Sequence, residues 1–228
     1  MTDGRFEVFL RFVAGLSSPR SAWILEEFLG KFPHQTMCRV SDWVKGEVKR
    51  QIRNAGSEFD KRRLLNTMHY LFESQNPALA QQTLGSVETL SFCDMGLTPI
   101  DCVVLSHVIR LCDTMKHLNL VSCHIQCEGL LRLGPVLHKC QRLRLYRVGL
   151  TDSGAEDLAS SLSTNHTVTE LCLSHNSLTD RCVPALRRLI LTLPRLELIS
   201  LWENKFSPTG KKELRSLQEP RPGLRVTV

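Results

Sequence analysis

The chain has 228 residues, 42% apolar and 23% charged, a composition that excludes a disordered or fibrous polymer and leaves room for one or two globular domains. Its net charge of +6 is spread evenly: residues 1–86 carry 12 Lys/Arg against 9 Asp/Glu, and residues 87–228 carry 17 against 14. The dense basic stripe of a nucleic-acid binder is missing, no apolar run approaches the ~18 residues of a membrane span, and nine irregularly spaced cysteines read as reduced thiols in the cytoplasm.

Residues 1–86 read as a helical subdomain. Residues 5–15 place Phe6, Phe9, Leu10 and Val13 on one helical face. Ser18-Pro19 is a cap followed by a first-turn proline, opening a second helix with Leu25, Phe28 and Leu29 as its stripe. A third is expected over 41–53, with Trp43, Val44, Val48 and Ile52 inward. Ser57 and Asp60 form a capping-box start for a fourth, with Leu64, Leu65, Met68, Leu71 and Phe72 inward. Asn76-Pro77 opens a short fifth helix that Gly85 stops.

Residues 87–228 repeat one sentence. LRLYRVGLTDSGAEDLASSL, LCLSHNSLTDRCVPALRRLI and ISLWENKF share apolar first, third and eighth positions: Leu143, Leu145, Leu150; Leu171, Leu173, Leu178; Ile199, Leu201, Phe206. With the apolar residue three places upstream they fit L-x-x-L-x-L-x-x-N/C-x-L, a leucine-rich repeat. The pattern opens at Val87, Met115, Cys140, Val168 and Leu196, with a remnant at Arg221, and Leu224–Val228 reads as a closing cap strand. Helices are expected over 99–111, 127–137, 153–162, 181–191 and 208–217. The fold class is therefore α/β: a helical N-terminal subdomain, then a curved solenoid of about five repeats with a concave parallel sheet and convex helices.

Side chains that alternate with the buried strand positions face away from the core. They nominate a partner-binding surface of Arg142, Arg144, Tyr146, Arg147, Glu170, His175, Trp202 and Glu203. Exposed Arg, Tyr and Trp are frequent interface anchors, so the face predicts a protein partner or a contact with another part of a longer chain. No phosphate-cradling loop occurs, since Gly30-Lys31 and Gly210-Lys211 are followed by Phe32 and Lys212. Cys123, His124, Cys127, His138 and Cys140 invite a zinc reading. A helix of about 16 Å between them keeps them from sharing one ion. No cofactor, metal site or catalytic residue is expected, and the Asn165-His166-Thr167 sequon is expected to be idle.

Two stretches carry a family resemblance. FLRFVAGLSSPRS, LEEFLG and LLNTMHYLFESQN resemble the helical segment after the nucleotide-binding NACHT module in NOD-like receptors. LTDSGAEDLASSLSTNHTVTELCLSHNSLTD resembles the ribonuclease-inhibitor-type repeats C-terminal to it, and FSPTGKKELRSLQEPRPGLRVTV the closing repeat of NLRP-type receptors. The resemblance implies an autoinhibitory or ligand-sensing module of a cytosolic innate immune receptor, active in inflammasome regulation and oligomerising only within a full receptor. Neither a NACHT ATPase nor a death-fold signalling domain is recognised, so the chain is expected to be a fragment, a truncated gene model or a short product. The alternative is a free-standing solenoid that blocks a partner in the manner of ribonuclease inhibitor. Packing on a NACHT module would explain any exposure of Phe6, Phe9, Trp23 or Trp43, and such exposure predicts poor solubility.

Overall fold

The computed structural model describes residues 4–29, 34–54, 57–113 and 115–228. They divide into two compact units. One holds the chain up to Val87 together with His107–Asp113, the other Glu88–Ser106 with the remainder to Val228.

The first unit contains α1 (Gly4–Leu16), α2 (Pro19–Leu29), α3 (His34–Asn54), α4 (Glu58–Ser74) and α5 (Pro77–Leu84). Their ends follow side-chain chemistry. The Asp60 N–H donates to Ser57 Oγ at 3.1 Å and the Ser57 N–H donates back to Asp60 Oδ2 at 3.3 Å. Asn76 Oδ1 accepts from the Leu79 N–H at 3.1 Å, with Pro77 in the first turn. Caps of this kind stabilise a helix by about 1 kcal/mol each.

Helix α4 is the centre of this unit and packs on both α1 and α3. It buries Leu64, Leu65, Met68 and Leu71, and α3 buries Val44 and Val48 one turn apart. Helix α1 departs from the expected stripe. Phe6 and Phe9 are 55% and 56% exposed, whereas Ala14 is fully buried. Gly15 lies on the same edge: a Cβ built there would stand in ordinary contact with Glu73, 3.8 Å from its carbonyl oxygen. Helix α1 thus meets α4 along its Ala14-Gly15 edge, and the phenylalanines point elsewhere. Trp43, expected inward, is 39% exposed and packs obliquely on Tyr70, ring centroids 5.5 Å apart. Trp23 is 75% exposed. The side chains of Leu25, Phe28 and Leu29 lie outside the described residues.

From Glu88 on, strands and helices alternate: β1 (Thr89–Ser91), α6 (Pro99–Arg110, its last turn counted with the first unit), β2 (His117–Asn119), α7 (Gln126–Leu137), β3 (Arg142–Arg144), α8 (Asp152–Leu162), β4 (Glu170–Cys172), α9 (Val183–Thr192), β5 (Leu198–Ser200), α10 (Pro208–Ser216) and β6 (Arg225–Thr227). The six strands form one sheet in chain order, every pair parallel. Parallel neighbours need a crossover between them, and each repeat's helix supplies it. The central residue of every strand (Leu90, Leu118, Leu143, Leu171, Ile199, Val226) is buried. This is a leucine-rich-repeat-like solenoid, preceded in the sequence by a helical part. The closing strand pairs Leu198 with Arg225, two residues later than the Arg221 remnant implies, because Pro220–Gly223 forms a turn before it.

Three devices fasten neighbouring repeats. Asn176 Oδ1 accepts from the backbone N–H groups of Val148, Gly149 and Leu150 at 3.0–3.1 Å, and its Nδ2 donates to the carbonyls of Leu145, Leu173 and Ser174. Asn204 repeats part of this with Leu178, Leu173 and Leu201, and Cys123 Sγ donates to the Phe92 carbonyl at 2.9 Å. At the helix starts, Asp152 accepts from the Thr179 N–H and hydroxyl at 2.7 and 2.6 Å, and Asp180 accepts likewise from Ser207. Just after each of the first five strands one residue adopts the left-handed region: Asp94, Ser122, Arg147, His175 and Glu203, φ between 52° and 64°. The N–H groups of the first four donate to the next repeat at 2.8–3.1 Å, and these bonds hold a conformation that most side chains disfavour.

Candidate protein-interaction face

Outward side chains of β3, β4 and β5 form one surface. Tyr146 and Trp202 occupy the same register position two repeats apart, with the fully buried Ser174 between them. Strands two apart are separated by about 9.6 Å, yet the two rings approach to 5.8 Å between centroids. Ser174 is small enough for them to close over it, and its Oγ is tied to Ser200 Oγ at 2.9 Å. His175, thrown sideways by its left-handed backbone, completes the group. Its ring lies 4.6 Å from Tyr146 and 4.6 Å edge-on from Trp202. Trp202 remains 43% exposed.

The charged candidates behave differently. Arg142 and Glu170 stand directly opposite on paired strands and meet Nε to Oε1 at 3.3 Å. Both are partly exposed, so the pair adds little stability. Arg147 and Glu203 are exposed on their left-handed positions. Arg144 is exposed, and among the described residues its side chain meets no hydrogen-bond or ion-pair partner. Of the eight residues nominated from sequence, the structure thus joins three in an aromatic group and two in an ion pair.

Two residues outside that nomination belong beside them. His117 and Asn119 face outward on β2, paired with Arg142 and Arg144. With Thr89 and Ser91 they line a cleft of about 210 Å³. Burial, and secondarily the Arg142 guanidinium, lower the His117 pKa, and His117 Nδ1 is buried without a hydrogen-bond partner. The register was the signal: whatever places Arg142 and Arg144 on the face places their β2 neighbours there too.

Among the described residues, no group of three or more His, Cys, Asp or Glu is placed to hold a metal. Burial pushes the thiols of Cys102, Cys123, Cys140 and Cys182 up to about 12, as expected of thiols used for packing. Asn165 of the sequon is fully buried, its Nδ2 donating to the Leu137, His138 and Cys140 carbonyls. No described helix is long and apolar enough to cross a membrane.

A parallel sheet crossed by one helix per repeat is the architecture of a leucine-rich-repeat-like solenoid, and the comparisons narrow that class. The family model of the NLRC4 helical domain HD2 matches residues 1–82. Over 182 residues the chain is 28% identical to NLR family member X1 of Rattus norvegicus, covering 78% of this chain and 18% of the relative. It is 27% identical over 202 residues to human NLR family CARD domain-containing protein 3 (87% and 18%). Against NACHT, LRR and PYD domains-containing protein 3 of Rattus norvegicus it is 31% identical over 149 residues (62% and 14%). The chain spans less than a fifth of the length of these relatives. It matches the C-terminal region of NLR-family proteins, with HD2-type helices first and the repeats after them.

Proposed function

We propose that this chain is a non-catalytic protein-interaction region of an NLR-type innate immune receptor, and that the outward face of β3–β5 makes the contact. The observation that carries this is the Tyr146–His175–Trp202 group, a partly exposed aromatic cluster at the ends of β3–β5. Preformed aromatic anchors bind with little loss of side-chain entropy, and Arg144, Arg147 and Glu203 supply charge around them. On this reading residues 1–86 and 87–228 act as two domains of a cytoplasmic receptor. The face restrains the receptor or senses a ligand, with inflammasome control as the output. Phe6, Phe9, Phe12 and Trp23 are exposed, and on this reading a NACHT module covers them.

The test is quantitative affinity capture from cytosol with the intact chain and with a Tyr146→Ala/Trp202→Ala variant of unchanged circular dichroism. Loss of two aromatic anchors, at about 2 kcal/mol or more each for hot-spot residues, predicts at least a tenfold drop for the true partner. If every captured protein binds the variant equally well, this face is not the binding surface.

A further inference from the structure

We infer that the cleft over β1–β3 is a carboxylate subsite, in which an aspartate or glutamate side chain of a bound protein segment docks against Arg144. The inference rests on the proposal that the open sheet face binds protein, and it names the chemistry of one contact.

Volume comes first. At about 210 Å³ the cleft is smaller than the ~300–1,000 Å³ of small-molecule sites, and suits one side chain. Its lining is Thr89, Ser91, His117, Leu118, Asn119, Arg142 and Arg144, without an acid. The donors among them are oriented. Asn119 Oδ1 accepts from the Val121 N–H at 3.2 Å, so its amide group keeps two N–H donors for a ligand. His117 Nδ1 is buried and unpartnered. Arg142 is engaged by Glu170, while Arg144 has no such partner and offers the planar fork that matches a carboxylate.

The surroundings decide the class of partner. Glu170 stands beside Arg142, Glu88 acts on His117 from the start of β1, and Glu203 is exposed past β5. A polyphosphate crossing this face would meet those charges, whereas one carboxylate flanked by apolar residues avoids them. Tyr146 follows Arg144 by two residues, an outward step of about 7 Å, so the aromatic group receives the neighbouring side chain of the same segment.

The experiment is selection of a short random-peptide library on the intact 228-residue chain, followed by fluorescence anisotropy with the synthesised winners. Enriched peptides are expected to share an Asp or Glu. Replacing it by Asn or Gln, and Arg144→Gln in the protein, should each weaken binding at least tenfold, with the two losses non-additive in a double-mutant cycle. Equal binding of the amide peptides, or an Arg144→Gln variant that binds normally, overturns the subsite. So does displacement of the peptide by inorganic phosphate or an oligothymidylate at matched ionic strength. If Tyr146→Ala/Trp202→Ala abolishes binding while Arg144→Gln does not, the protein-binding face stands and the carboxylate subsite falls. If neither variant matters, or no peptide is enriched, both fall.

Discussion

Removing the Asn176 side chain should open the solenoid at one place, by an amount the hydrogen bonds set. Its Oδ1 is the acceptor for three N–H groups, and two of them, on Val148 and Leu150, belong to fully buried residues. Gly149 is exposed, so water can replace that bond. Two of the three carbonyls bonded to Nδ2 keep other donors: Leu173 retains Asn204 Nδ2 and Ser174 retains the Arg147 N–H. The cost of Asn176→Ala is therefore chiefly two orphaned buried N–H groups, about 1–3 kcal/mol each, giving a loss of about 2–6 kcal/mol. Asn204→Ala strands one such N–H, on Leu178, and should cost about 1–3 kcal/mol. Repeat proteins can open locally, so urea unfolding should be paired with hydrogen exchange at Val148 and Leu150. A loss below ~1 kcal/mol for Asn176→Ala, or a larger loss at Asn204, would refute the reasoning that buried N–H groups dominate the ladder.

Two further outcomes follow from local chemistry. Burial opposes ionisation of Asp152, but the hydroxyl and backbone bonds from Thr179 outweigh it and hold its pKa below the ordinary 3.8. The unfolded chain then binds the proton first, so this contribution is complete above pH 3.8 and is lost as pH falls through the folded value. Asp152→Asn should flatten that acid limb in urea titrations. Native-state alkylation should label exposed Cys38 first, and leave buried Cys102, Cys112, Cys123, Cys140 and Cys182 silent until denaturant is added; peptide mapping of the modified sites checks this.

The repeat was the most legible part of the sequence because its spacing is fixed by geometry: a strand, a turn, a crossover helix and a return to the same edge. The first five strands fall where the repeat pattern puts them, and Asn176 and Asn204 sit at the position it reserves. The Thr-Asp pairs in LTDSG and LTDRC were equally visible, but their use is not local. Asp152 serves the cap of the following repeat, a partner that only the stacking reveals. Periodicity failed on α1, where Ala14 is the fully buried residue and hydrophobicity alone ranks Phe6 and Phe9 above it. The face was legible as a set of positions. Convergence of Tyr146 and Trp202 over Ser174 was not, since it depends on a small residue in the intervening strand.

This division of labour separates folding from recognition. The interior leucines, the asparagine ladder and the aspartate caps fasten repeat to repeat through inward and loop positions. The outward residues carry little of that load. Arg144 touches no partner among the described residues, and substitution at such a surface site is normally worth no more than ~0.5 kcal/mol. The aromatic group adds ring–ring contacts of about 0.5–1.5 kcal/mol each, small beside the cost at Asn176. Left-handed backbone at Arg147, His175 and Glu203 is the exception, because there one residue serves both ends: its N–H or turn belongs to the fold while its side chain borders the face. A solenoid built this way can exchange its binding chemistry at Arg144, Tyr146 and Trp202 without renegotiating its stability, and the left-handed positions are where the two demands meet.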